Sequence, residues 1–147
     1  MTSSSIESET QLNTQEVYRA LKKRHFNAQT KEVDPDAYYC RPGNDFNGLS
    51  VRFSMEQHIQ KRDVFKWHGI AEISVADIET LNLKLVKDKE DHANIVGVPR
   101  DGSRCRATDQ ATDNYEEFRD KLVYDDREAE RLAGELAKRS RLVYVDS

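Results

Sequence analysis

After Asp125 the chain carries Ala129, Leu132, Ala133, Leu136 and Ala137 at spacings of i, i+3, i+4, i+7 and i+8. That spacing predicts a helix from about Asp125 with one narrow apolar stripe. Such a stripe must be covered by another layer of structure. The sequence offers one in the middle of the chain. Leu49, Val51 and Phe53 alternate with Ser50, Arg52 and Ser54, the period-two pattern of a half-buried strand. From His68 to Val75 the alternation returns, with Ile70, Glu72 and Ser74 on one side and Ala71, Ile73 and Val75 on the other. The alternating strands and the helical stripe are expected to share one core.

The remaining elements follow from local signals. Asn13 with Glu16 three residues on has the form of a capping box, and Val17, Ala20 and Leu21 predict a helix over about 14–24. Pro35 pushes Asp34 out of helical conformation, and Ala37 to Cys40 reads as a short strand. Arg41-Pro42-Gly43-Asn44-Asp45 is the densest turn signal, followed by Asn47-Gly48. Met55 to Arg62 predicts one or two helical turns, and Ser74 with Asp77 predicts a cap on a short helix through Leu81. Leu83 and Leu85 suggest a strand, Lys87 to Asp91 a charged loop, and Ala93 to Val98 another strand. Arg100 to Thr112 reads as a long loop and Asp113 to Leu122 as a helix, and Leu142 to Val145 is β-prone.

Strands grouped in the middle and helices at the ends give the expected class. It is α+β, a central mostly antiparallel sheet flanked by an N-terminal helix and two C-terminal helices. At 147 residues the chain suits one domain, taken as 13–147 behind a polar tail at 1–12 that is expected to be disordered.

Composition narrows the function. Apolar runs are a few residues long, far short of the roughly 20 that span a bilayer, so no membrane is expected. Met1 to Leu12 has no basic start and no apolar stretch, unlike a secretory signal. Cys40 and Cys105 lack CxxC spacing and read as reduced thiols of a cytoplasmic protein. Net charge is −4, which weighs against a phosphate backbone as partner. Two basic runs, Arg19, Lys22, Lys23, Arg24 and then Arg100, Arg104, Arg106, keep nucleic-acid binding as the weakest of three expectations.

Phosphate-binding glycine loops, dinucleotide fingerprints, zinc-protease, lipase-type and calcium-loop motifs are all missing. His25, His58, His68 and His92 are scattered, so neither a metal nor a cofactor is expected. The candidate catalytic residues are Arg41, Ser50, Glu72 and His92. Ser50 starts a strand, where its hydroxyl can face a cleft, and as a nucleophile it would need His92 as base. His92 precedes an apolar strand and could act as a general base, with Asp91 as its carboxylate. The order Arg19 or Arg41, Ser50, Glu72 is similar to that in domains that transfer ADP-ribose from NAD, an analogy of order without a contiguous motif.

The acidic C-terminal third suggests a surface that steers a basic partner. The first expectation is therefore a small accessory protein that docks to another macromolecule, a protein in the first instance. The second is a small enzyme acting on a nucleotide or NAD-like substrate.

Overall fold

The computed structural model describes residues 15–39, 48–100 and 125–146. Eight strands lie in this part: β1 (Glu16–Leu21), β2 (Phe26–Asn27), β3 (Glu32–Val33), β4 (Leu49–Val51), β5 (Gly69–Ser74), β6 (Lys84–Lys89), β7 (His92–Val96) and β8 (Arg141–Val145). The helices are α1 (Glu56–Gln60), α2 (Arg62–Phe65), α3 (Val75–Thr80) and α4 (Asp126–Arg139). One three-stranded sheet has the order β1-β5-β8 and another β4-β7-β6. All pairings in them are antiparallel.

The two sheets are joined. Tyr18 and Arg52 exchange both backbone hydrogen bonds, at 2.8 and 2.9 Å, so β1 meets the end of β4. The strands therefore run β8-β5-β1-β4-β7-β6 across one continuous surface. Its inner face carries Val17 and Leu21 from β1, Leu49 and Val51 from β4, Ala71 and Ile73 from β5, and Ala93 and Ile95 from β7, all essentially buried. Helix α4 adds Ala129, Leu132, Ala133, Leu136 and Ala137 to the same core. Asp125 caps α4 by accepting a hydrogen bond from the Glu128 amide at 3.1 Å. The helix packs chiefly on the 3-10 turn Pro35–Tyr38. There the fully buried Tyr38 hydroxyl meets Ser140 Oγ at 2.5 Å, just beyond the helix end. Ser140 Oγ donates onward to the Leu136 carbonyl at 2.7 Å, so Tyr38 is the donor in the first bond.

Several expectations are corrected. The segment expected to be an N-terminal helix is strand β1. Val17, Arg19 and Leu21 share the inner face, and β5 supplies a full ladder from Glu16↔Ser74 to Leu21↔Gly69. Six paired backbones outweigh a weak helical propensity set by Val17 and Tyr18. Helices thus stand mid-chain and at the C-terminal side. Ala37 to Tyr38 belong to the 3-10 turn, because Pro35 opens it and Asp34 Oδ1 accepts from the Asp36 amide at 2.9 Å. The charged stretch from Lys87 is mostly strand, since β6 continues to Lys89 against β7. Ser74 caps α3 as expected, accepting from the Asp77 amide at 3.1 Å. The tail at 1–12, the Arg41–Asp45 turn, the 101–112 part of the long loop and the expected helix at 113–122 lie outside the described residues.

Candidate functional site

The outer face of the β4-β7-β6 sheet gathers the polar side chains. Ser50 and Asn94 are register partners, and His92 follows two residues away from Asn94 on the same face. Ser50 Oγ lies 2.5 Å from His92 Nε2. The other ring nitrogen, Nδ1, lies 2.6 Å from Asp88 Oδ1. A carboxylate only accepts, so Nδ1 carries the proton and donates to Asp88. In the neutral ring Nε2 is then an acceptor, and the Ser50 hydroxyl donates to it.

The position of Asp88 depends on an irregularity. The β6-β7 register shifts between Lys87 and Lys89, so Asp88 has no backbone partner opposite it. Bulges of this kind re-aim a side chain. Asn94 Nδ2 reaches the second oxygen, Asp88 Oδ2, at 3.4 Å, a long contact that still orients the carboxylate. The hydrogen bond from His92 holds the Asp88 carboxyl below its usual range. The His92 side chain is 18% exposed and that of Asp88 41%, so the imidazole is sheltered while its carboxylate faces solvent. At the front of β4, Gly48 has a φ of +119°, and a Cβ there would sit 2.4 Å from the Ile95 carbonyl oxygen. Only glycine suits that approach, which sets the chain entering Ser50 close against β7.

Ser50 and His92 are thus brought into contact. Asp91, the carboxylate expected beside His92, instead accepts from the Phe53 amide at 3.1 Å and from Ser54 Oγ at 2.9 Å. Glu72 stands on β5, on the same outer face but two strand spacings from β4, about 10 Å. Its carboxylate accepts from Arg141 Nη2 at 2.6 Å. Arg41 lies outside the described residues.

The basic candidates separate. Arg19 sits on the inner face, where Nε donates to the Ala37 carbonyl at 2.5 Å and Nη1 to the Ser50 carbonyl at 2.8 Å. Its guanidinium also lies 5.7 Å from the Tyr38 ring centre. It clamps the backbone of the candidate serine rather than facing solvent. Lys23 and Arg24 occupy an exposed 3-10 turn with Lys22 before it. Arg100 is 3% exposed. Arg104 and Arg106 lie outside the described residues.

Sequence reasoning did not single out Asp88, Asn94 or Arg52. The Asp88–His92 spacing was the available signal, since two residues four apart meet across a tight bulged hairpin. Among the described residues no three His, Cys, Asp or Glu side chains gather in a way that could hold a metal ion, and no helix is long and apolar enough to cross a membrane. No protein-family model, no curated protein and no solved structure matches the chain.

Proposed function

We propose that the chain is a small group-transfer enzyme in which Ser50 is the nucleophile, His92 its general base and Asp88 the group that orients His92. The single observation behind this reading is the hydrogen-bonded series from Ser50 Oγ through His92 to Asp88, at 2.5 and 2.6 Å. A serine hydroxyl is a weak nucleophile until an adjacent base takes its proton, and the base needs a third group to fix its tautomer.

The chemistry is an acyl transfer to water. Ser50 Oγ attacks the acyl carbon while its proton passes to His92 Nε2. The leaving group departs with that proton, and the acyl group remains as an ester on Oγ. Water then gives a proton to Nε2 as its oxygen attacks the ester. Oγ leaves, takes the proton back, and the acid product is released. Asp88 stays ionised throughout and balances the imidazolium that forms in each half. Glu72, paired with Arg141, takes no part in this sequence.

The test is burst kinetics with p-nitrophenyl acetate. A burst of nitrophenol equal to the enzyme concentration is expected, lost in Ser50→Ala and in His92→Ala. Release without a burst, or a burst that survives Ser50→Ala, rejects the reading.

A second reading, docking to a protein partner, has its own support on the opposite edge of the fold. Val64 and Phe65 of α2 are 74% and 50% exposed. Phe65 stacks on Trp67 with ring centres 5.7 Å apart. Arg62 Nε lies 3.5 Å from Asp146 Oδ1, and the Asp146 amide bonds the His68 carbonyl at 2.8 Å, which ties this apolar group to the end of β8. Strand β8 is an edge strand among the described residues and exposes Val145. An extended apolar segment of a partner would add beside it and cover the aromatic pair.

A further inference from the structure

Acyl transfer at Ser50 makes no use of Arg52, a charged side chain of the same face. Arg52 lies two residues beyond Ser50, so both side chains leave the sheet on one face, about 7 Å apart along the strand. Its backbone is fixed by the two hydrogen bonds to Tyr18. The β4-β7 register ends at Val51↔Ala93, and its next step places Arg52 opposite His92.

Most other arginine heads in the described residues have partners, and Arg24 and Arg127, which have none, are exposed to solvent. Arg19 is held by two carbonyls, Arg62 by the Ile59 carbonyl and Asp146, Arg139 by Asp77 and Glu135, and Arg141 by Glu72. Arg52 is half-buried, and its side chain makes no hydrogen bond or ion pair with any described residue. Its neighbour His58 is buried and donates Nε2–H to the Tyr18 carbonyl at 3.0 Å, so it does not neutralise the guanidinium. A partly desolvated guanidinium without a carboxylate is a ready binding point for an oxyanion, which it can hold through two parallel N–H donors.

We propose that Arg52 binds an oxyanion of the substrate, a carboxylate or a phosphate, and so presents the neighbouring acyl group to Ser50. This rests on the acyl-transfer reading above and names its substrate class: an ester or related acyl compound with an anionic group a few ångströms from the scissile bond. Arg52 acts here as a substrate-binding residue and moves no proton.

Three matched phenyl acetates test it. 4-Acetoxybenzoate carries a carboxylate, 4-acetoxyphenyl phosphate a phosphate, and methyl 4-acetoxybenzoate neither. Wild-type protein should acylate from one of the anionic esters at least tenfold faster than from the methyl ester at equal low concentration. The faster of the two identifies the anion. Arg52→Met should erase the preference through KM rather than kcat, and Arg52→Lys should keep part of it. In parallel, the Arg52 Nε–H resonance of the wild-type protein, observed by NMR, should shift saturably on addition of inorganic phosphate or acetate. Equal rates for all three esters, or an Arg52 resonance unmoved by both anions, overturns the proposal. A shifting Arg52 resonance with no acylation from any ester keeps the anion site and removes the serine enzyme. Acylation without preference does the reverse.

Discussion

At the scale of single residues, one half-buried and one buried imidazole make stability depend on pH. His25 is pushed down to about 4 from its ordinary value of 6.5, by burial first and then by the charge of Arg24 and Arg19. Its Nδ1 accepts from the Lys22 amide at 3.1 Å, a bond that a protonated ring cannot accept. His58 is lowered as well, mainly by burial. A lowered folded pKa means that the unfolded chain binds the proton first as the solution is acidified. The stabilisation is complete above about 6.5 and is lost as pH falls from there towards about 4. Urea unfolding should therefore give a falling free energy across that window. His25→Gln should flatten the fall, and an unchanged slope in that variant would contradict the assignment. Residue identity was legible where chemistry is rare: Ser50 and His92 stand out because few side chains can be nucleophile and base. Asp88 did not, because in a charged run of Lys87, Asp88, Lys89, Glu90 and Asp91 only the bulge decides which carboxylate meets His92. Arg19 misled in the other direction. A guanidinium on an inner face looks like surface decoration until the carbonyls of Ala37 and Ser50 are known to receive it.

At the scale of elements, the strongest patterns were read correctly and the weakest were inverted. Helix α4 has a five-residue stripe repeated over two turns and a cap at Asp125, signals that agree with one another. Strand β5 and the cap of α3 were equally plain. Strand β1 was not, because Arg19 interrupts the apolar alternation of Val17 and Leu21 and leaves a spacing that also fits a helix. Its state is set by partners distant in sequence, β5 on one side and Arg52 on the other. The docking reading belongs at this scale. Trp67 is the only tryptophan in the chain, so its fluorescence reports on α2 and the end of β8 directly. Addition of a binding partner purified from the source lysate should shift that emission, and Phe65→Asp should weaken the complex by about tenfold or more, as loss of an aromatic anchor does. Binding untouched by Phe65→Asp would place the interface elsewhere.

At the scale of the whole molecule, joining the two three-stranded sheets gives the fold two faces with different duties. The inner face, with α4 and Tyr38, holds the hydrophobic core. The outer face carries Arg141, Glu72, Tyr18 and Arg52 in one row across four strands, with Ser50, His92 and Asn94 beside it. A rigid paired sheet fixes the spacing of such side chains better than a loop would. Sequence alternation set Ser50 apart from Leu49 and Val51, and Glu72 apart from Ala71 and Ile73, but it could not foretell that β1 would stand between them. That depends on strand order, which pairs segments far apart in the chain. The central claim is that His92, aligned by Asp88, activates Ser50. Its most direct measurement is the site and rate of covalent labelling by a fluorophosphonate, in which Ser50 Oγ displaces fluoride at phosphorus. Peptide mass mapping should find the adduct on Ser50, formed about a hundredfold or more slowly in Asp88→Asn. No adduct, an adduct on another serine, or an unchanged rate in Asp88→Asn would contradict the account.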